Sequence, residues 1–171
     1  MRAIARVAAG SAFIVRAPII GGESLDAAPP SPAAAGELSG LKVLVVDDNQ
    51  DAADVLGQLL SMYGADVQIS CLAEAALELV GAFDPALVLL DIGLPDLDGY
   101  EACRRMRQLK GGRVKLVALT GLGRDDDRQR ASDAGFDEHM TKPVDFDRLG
   151  AIAARCRNDV NAALASKRMT R

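Results

Sequence analysis

The chain has 171 residues, 49% of them hydrophobic but only 4% aromatic and none Trp, so the one domain it is long enough to form must bury an aliphatic core of Leu, Val, Ile and Ala. A net charge of -4 without a sustained basic face argues against a nucleic-acid-binding surface, and no nucleic-acid partner is expected. Cys71, Cys103 and Cys156 lack the paired spacing of a zinc site or a secreted disulfide scaffold, and a reducing cytoplasm is the expected setting.

Arg2 and Arg6 precede an apolar run at residues 7–15, a pattern with some likeness to a targeting segment. Arg16 and Pro18 end that run well short of the roughly 20 residues a membrane-spanning helix needs, so no span is expected. Residues 21–40 are rich in Pro, Ala, Gly and Ser, including Ala27-Ala28-Pro29-Pro30-Ser31-Pro32, and read as a linker. The folded unit is expected over residues 41–157, followed by a tail at 158–171.

From residue 41 the pattern alternates. Residues 41–46 form a short β-branched run, apolar except for Lys42, as in a strand buried on both faces of a parallel sheet. It stops at Asp47-Asp48-Asn49, and Ala53, Leu56, Leu59, Leu60 and Tyr63 then recur at helical spacing up to a Gly64 stop. The pairing repeats with strands at 66–70, 86–90, 115–119 and 138–140. Helices are expected at 50–62, 73–82, 99–109, 125–134 and 145–156. Such alternation predicts an α/β fold, a doubly wound five-stranded parallel sheet with helices on both faces.

In such a sheet all strand C-termini share one edge, where ligands bind. The polar residues there are Asp47 and Asp48 after the first strand, Asp91 after the third, Thr120 after the fourth and Lys142 beyond the fifth. Three carboxylates converging on one pocket repel one another unless a cation is present. Oxygen ligands without a nearby His or Cys point to Mg²⁺ or Mn²⁺, whose usual further ligand is a phosphate oxygen. Lys142 and the Thr120 hydroxyl can compensate charge on an incoming phosphoryl group, leaving Asp91 as the nucleophile.

Val45-Val46-Asp47-Asp48-Asn49, Leu89-Leu90-Asp91-Ile92-Gly93-Leu94-Pro95 with Asp98-Gly99, Ala118-Leu119-Thr120-Gly121 and Lys142-Pro143 together resemble the receiver domain of bacterial response regulators, over roughly residues 41–156. The resemblance implies a CheY-like, flavodoxin-like fold with strand order 2-1-3-4-5. It implies Asp91 as the phosphorylated residue, Asp48 as a direct Mg²⁺ ligand, Asp47 as a ligand through water, and the Gly93 carbonyl as a further ligand. Thr120 and Lys142 look like the switch hydroxyl and the phosphoryl-binding lysine, and the bond before Pro143 is expected to be cis.

The implied partner is a histidine kinase or a histidine phosphotransfer protein. Any homodimer is expected to be weak. The chain is expected to act as a signalling phosphoacceptor with slow self-dephosphorylation rather than as an enzyme.

Members of that family often carry Tyr or Phe where this chain has His139, its only His; two readings stand, a half-exposed strand residue or a switch ring with pH-dependent output. Gly10-Ser11-Ala12-Phe13-Ile14-Val15-Arg16-Ala17-Pro18-Ile19 resembles the last strand of the ATP-binding domain of sensor histidine kinases, without that domain's nucleotide boxes. Residues 1–20 are then either a remnant of that strand, implying descent from the C-terminal end of a hybrid histidine kinase, or a poorly ordered arm. No output domain is expected after Cys156, and residues 157–171 read as a solvated helix extension.

A competing class is the Mg²⁺-dependent phosphohydrolase of the haloacid-dehalogenase type. It needs a second Asp two residues after the nucleophile, where this chain has Gly93, and an acidic pair after the nucleophile, whereas Asp47 and Asp48 precede it. An unphosphorylated docking domain on the same fold usually lacks part of the pocket, and here none is missing.

Overall fold

A computed structural model describes residues 37–121 and 125–169, so the remnant at 1–20 and nearly all of the linker lie outside the described residues. The strands are β1 (Lys42–Val46), β2 (Asp66–Ser70), β3 (Leu87–Asp91), β4 (Lys115–Thr120) and β5 (Glu138–Thr141). They alternate with α1 (Gln50–Met62), α2 (Ala73–Phe83), α3 (Gly99–Lys110), α4 (Asp125–Ala134) and α5 (Phe146–Met169). All four pairings are parallel and the order is β2-β1-β3-β4-β5, the doubly wound sheet the alternation predicts.

Because successive strand residues face opposite sides, the apolar strands feed two cores. Leu44, Val46, Val88, Leu90, Leu116 and Ala118 pack against Ala76 and Val80 of α2 and Ala102 and Met106 of α3. Val43, Val45, Leu87, Leu89, Val117 and Leu119 pack against Leu56 and Leu60 of α1 and Leu149 and Ile152 of α5. Each fully buried Leu contributes roughly 1.5–3 kcal/mol, and truncating one such as Leu89 to Ala leaves a cavity costing about 2–5 kcal/mol.

Helix starts follow local chemistry where it exists. Asn49 accepts from the Ala52 amide at 3.2 Å to cap α1, and Asp98 accepts from the Tyr100 amide at 3.0 Å to cap α3. The helix expected over residues 145–156 begins at Phe146 and runs on to Met169, because residues 157–169 contain neither Gly nor Pro to stop it. At the other end of the domain, Leu38 is buried and its amide donates to the Tyr63 carbonyl at 2.9 Å, seating the turn that leads into β1.

Candidate functional site

Strand register decides which polar residues meet. Val46 of β1 lies beside Leu90 of β3, so Asp47 and Asp91, each one step further, end adjacent strands at the same level. Asp91 in turn lies beside Leu119, which puts Thr120 at the same edge. The Lys142 amide donates to the Thr120 carbonyl at 2.7 Å and brings the residue after β5 over that edge, with a cis peptide bond between Lys142 and Pro143.

Asp47, Asp91 and Thr120 are buried, while Asp48 is exposed. Carboxylate oxygens of Asp47, Asp48 and Asp91 all lie within 4.8 Å of one another. Lys142 Nζ stands 2.6 Å from Asp47 Oδ2 and 2.8 Å from Asp91 Oδ2. Burial works against the Lys142 charge, but the Asp47 and Asp91 carboxylates beside the ammonium outweigh it and its pKa is raised.

The remaining carboxylate oxygens are fixed by backbone. Asp47 Oδ1 accepts from the Asn49 amide at 3.0 Å, and Asp91 Oδ1 accepts from the Gly93 amide at 3.0 Å. Asp47 Oδ2 is within ion-pair distance of Lys142 yet lacks a hydrogen bond of good direction, so it is charge-compensated but directionally unsatisfied. Three carboxylates against one ammonium leave the cluster short of positive charge, and its all-oxygen donors suit a small hard divalent cation. The residues present therefore fit Mg²⁺.

His139 lies partly exposed on β5, away from this cluster, where its Nε2 accepts a hydrogen bond from Arg128 Nε of α4 at 2.9 Å. Partial burial lowers its pKa, and the positive charges of Arg128 and Arg148 lower it further against the opposing pull of Glu138. Helix α4 buries only Ala131 and Ala134 among its described side chains, a small apolar footprint on the sheet.

Sequence reasoning missed Asp96. Its carboxylate accepts from the Ala73 and Glu74 amides, both at 3.1 Å, and so caps a helix remote in sequence. The signal was Leu72, an apolar residue at the N-cap of α2 that cannot cap it. Desolvation raises the Asp96 pKa, but the backbone amides outweigh it and the net shift is downward.

An open parallel α/β sheet with an acidic cluster and a lysine at its C-terminal edge defines a class of phosphoryl-handling domains. The response regulator receiver domain family matches residues 43–154, and the chain belongs to that family. An uncharacterised 14.6 kDa protein of Leptolyngbya boryana is 40% identical over 109 residues, covering 63% of this chain and 83% of that protein. The transcriptional regulatory protein TcrA of Mycobacterium tuberculosis is 35% identical over 118 residues, 69% of this chain and 46% of TcrA.

Among solved structures, a CheY-like receiver domain protein of Methanospirillum hungatei superposes with a TM-score of 0.65 at 28% identity, covering 71% of this chain and 98% of that one. The BeF3-activated DrrB receiver domain superposes with a TM-score of 0.62 at 29% identity, covering 68% of this chain and 96% of that one. The chain spans about half the length of the named transcriptional regulators it matches. It carries the receiver domain of a two-component response regulator. Among the described residues no helix is long and apolar enough to cross a membrane.

Proposed function

We propose that Asp91 is the phosphoacceptor of this receiver domain, taking a phosphoryl group from a phospho-histidine on a kinase or a histidine phosphotransfer protein. The observation that carries the reading is the convergence of Asp47, Asp48 and Asp91 oxygens within 4.8 Å, with the Lys142 ammonium 2.8 Å from Asp91 Oδ2. An Asp91 oxygen forms the new bond to phosphorus, the phosphorus–nitrogen bond of the donor breaks, and the electron pair leaves on the imidazole nitrogen.

Asp48, Asp47 through water, Asp91 and the Gly93 carbonyl would hold Mg²⁺. Bound there, Mg²⁺ neutralises charge on the carboxylates and on a phosphoryl oxygen. Lys142 swings its ammonium from Asp91 Oδ2 to a second phosphoryl oxygen as that carboxylate oxygen becomes esterified. Thr120, at the end of β4, donates its hydroxyl to a third. The His139 ring reports this engagement at the surface formed by α4 and β5, where it already meets Arg128.

The setting that suits this chemistry and the free thiols is the cytoplasm. Residues 1–20 fit a remnant of a kinase ATP-binding domain; nucleotide boxes in the reading frame upstream of Met1 would make the chain a fragment of a hybrid kinase, whereas a stop codon there would make it a free-standing regulator. The phosphoacceptor reading is tested with Mg²⁺ and a small-molecule phosphodonor in parallel with a phosphomonoester. Stoichiometric labelling without turnover of the phosphomonoester is expected; sustained phosphomonoester turnover would favour a hydrolase instead.

A further inference from the structure

Helix α2 starts without a cap of its own. Leu72 stands at the N-cap in extended conformation with no side-chain acceptor, which would leave the first amides of the helix unpaired. The cap arrives from 23 residues away, where Asp96 Oδ1 takes the Ala73 amide and Asp96 Oδ2 the Glu74 amide, both at 3.1 Å. Asp96 belongs to the loop that runs from the end of β3 to α3, immediately after Asp91.

The ends of that loop are pinned by backbone. The Ile92 amide donates to the Leu119 carbonyl at 3.1 Å, and the Gly99 amide donates to the Ile92 carbonyl at 3.2 Å. Between those ties, Leu94 is buried and Leu97 partly buried in the core shared by α2 and α3, contacts that supply attraction but little direction. Asp96 is the directional tie of the loop's middle. It binds that middle to a helix that is itself anchored by the fully buried Ala73, Ala76 and Val80.

We propose that Asp96 is a positioning residue for the Asp91 site, clamping the loop to the first turn of α2 so that Gly93 and the Asp91 carboxylate keep the geometry that binds Mg²⁺. The inference rests on the Mg²⁺ and phosphoryl reading of that site. Gly93 lies inside the clamped loop, and its amide holds Asp91 Oδ1 at 3.0 Å, so a shift of the loop rotates the carboxylate directly. Groups that orient metal ligands act through such outer contacts.

A purely structural role, capping α2 and nothing more, makes a different prediction, and Leu72 separates the two. Serine at that exposed, extended position supplies a local cap to α2 without touching the loop. Mg²⁺ affinity is measured by titration calorimetry, thermal stability in EDTA, and exchange of the Gly93 amide by NMR, on the wild-type chain, Asp96→Ala and the double variant Leu72→Ser/Asp96→Ala.

Asp96→Ala is expected to weaken Mg²⁺ binding about three- to tenfold, less than the roughly 10–100-fold typical of a direct partner of a metal ligand. The double variant is expected to regain thermal stability while its Mg²⁺ affinity stays reduced and its Gly93 amide still exchanges faster than in the wild type. Unchanged affinity in Asp96→Ala, or affinity that returns together with stability in the double variant, would overturn the inference and leave the site's function standing. A wild-type chain that binds no Mg²⁺ would overturn both.

Discussion

Lys142 Nζ lies 2.8 Å from Asp91 Oδ2, across the edge of the sheet from the residue after β5 to the last residue of β3. The same ammonium is 2.6 Å from the buried Asp47, so one cation holds two carboxylates that would otherwise repel. Lysine thus occupies part of the negative field that a divalent metal would neutralise, and the two compete for it.

Lys142→Met is therefore expected to do two opposite things. Without metal it leaves Asp47 and Asp91 uncompensated and lowers stability by roughly 1–3 kcal/mol, below the ~3–5 kcal/mol of a fully buried pair because solvent reaches the lysine. With Mg²⁺ it should bind the ion more tightly than the wild type, while accepting a phosphoryl group more slowly. Melting curves in EDTA and in a Mg²⁺ series check the first two effects, and labelling rates check the third. Saturation at about 100 times Kd should add about 2.7 kcal/mol to stability in either chain.

The two glycines flanking the loop after Asp91 should respond differently to alanine. A Cβ on Gly99 would stand 2.6 Å from the Ile92 Cα and 2.7 Å from the Asp91 carbonyl oxygen, both backbone atoms that cannot turn aside. Gly99→Ala is expected to cost about 1–3 kcal/mol, as overpacking does, and to disturb the Asp91 site. A Cβ on Gly93 meets nothing closer than Asp91 Oδ1 at 3.7 Å, so Gly93→Ala should keep stability within about 0.5 kcal/mol. Urea unfolding of both variants makes the comparison.

The ring of His139 accepts from Arg128, which requires a neutral Nε2; protonation removes the acceptor and sets like charge against Arg128 and Arg148. Its folded pKa lies below the ordinary 6.5, so between the two values the unfolded chain binds more protons. The His139 contribution to stability is present above pH 6.5 and is lost as pH falls through the lowered folded value. His139→Asn should flatten this part of the stability profile, seen as a smaller difference between denaturant midpoints at neutral and mildly acid pH. An unchanged slope would remove His139 as its source.

Much of the fold could be read from the chain because each strand is a short apolar run closed by a polar residue, and those closing residues, Asp47, Asp91 and Thr120, are the ones register brings to one edge. Lys142 was legible for the same reason, as the first cation beyond β5. Of α5, the helical extension past Cys156 was legible but its end at Met169 was not, because the apolar pattern fades there while helix-compatible residues continue. Asp96 and Arg128 were also missed. Their partners, the first turn of α2 and the ring of His139, are brought near only by tertiary packing, and neither pairing leaves a local spacing to recognise.

The central claim is that Asp91 accepts the phosphoryl group, and intact mass after incubation with a small-molecule phosphodonor tests it most directly. The account predicts addition of one phosphoryl group to the wild-type chain in Mg²⁺, strongly reduced addition in EDTA, and none in Asp91→Asn. A wild-type chain that never gains that mass, or an Asp91→Asn chain that gains it equally, would contradict the account.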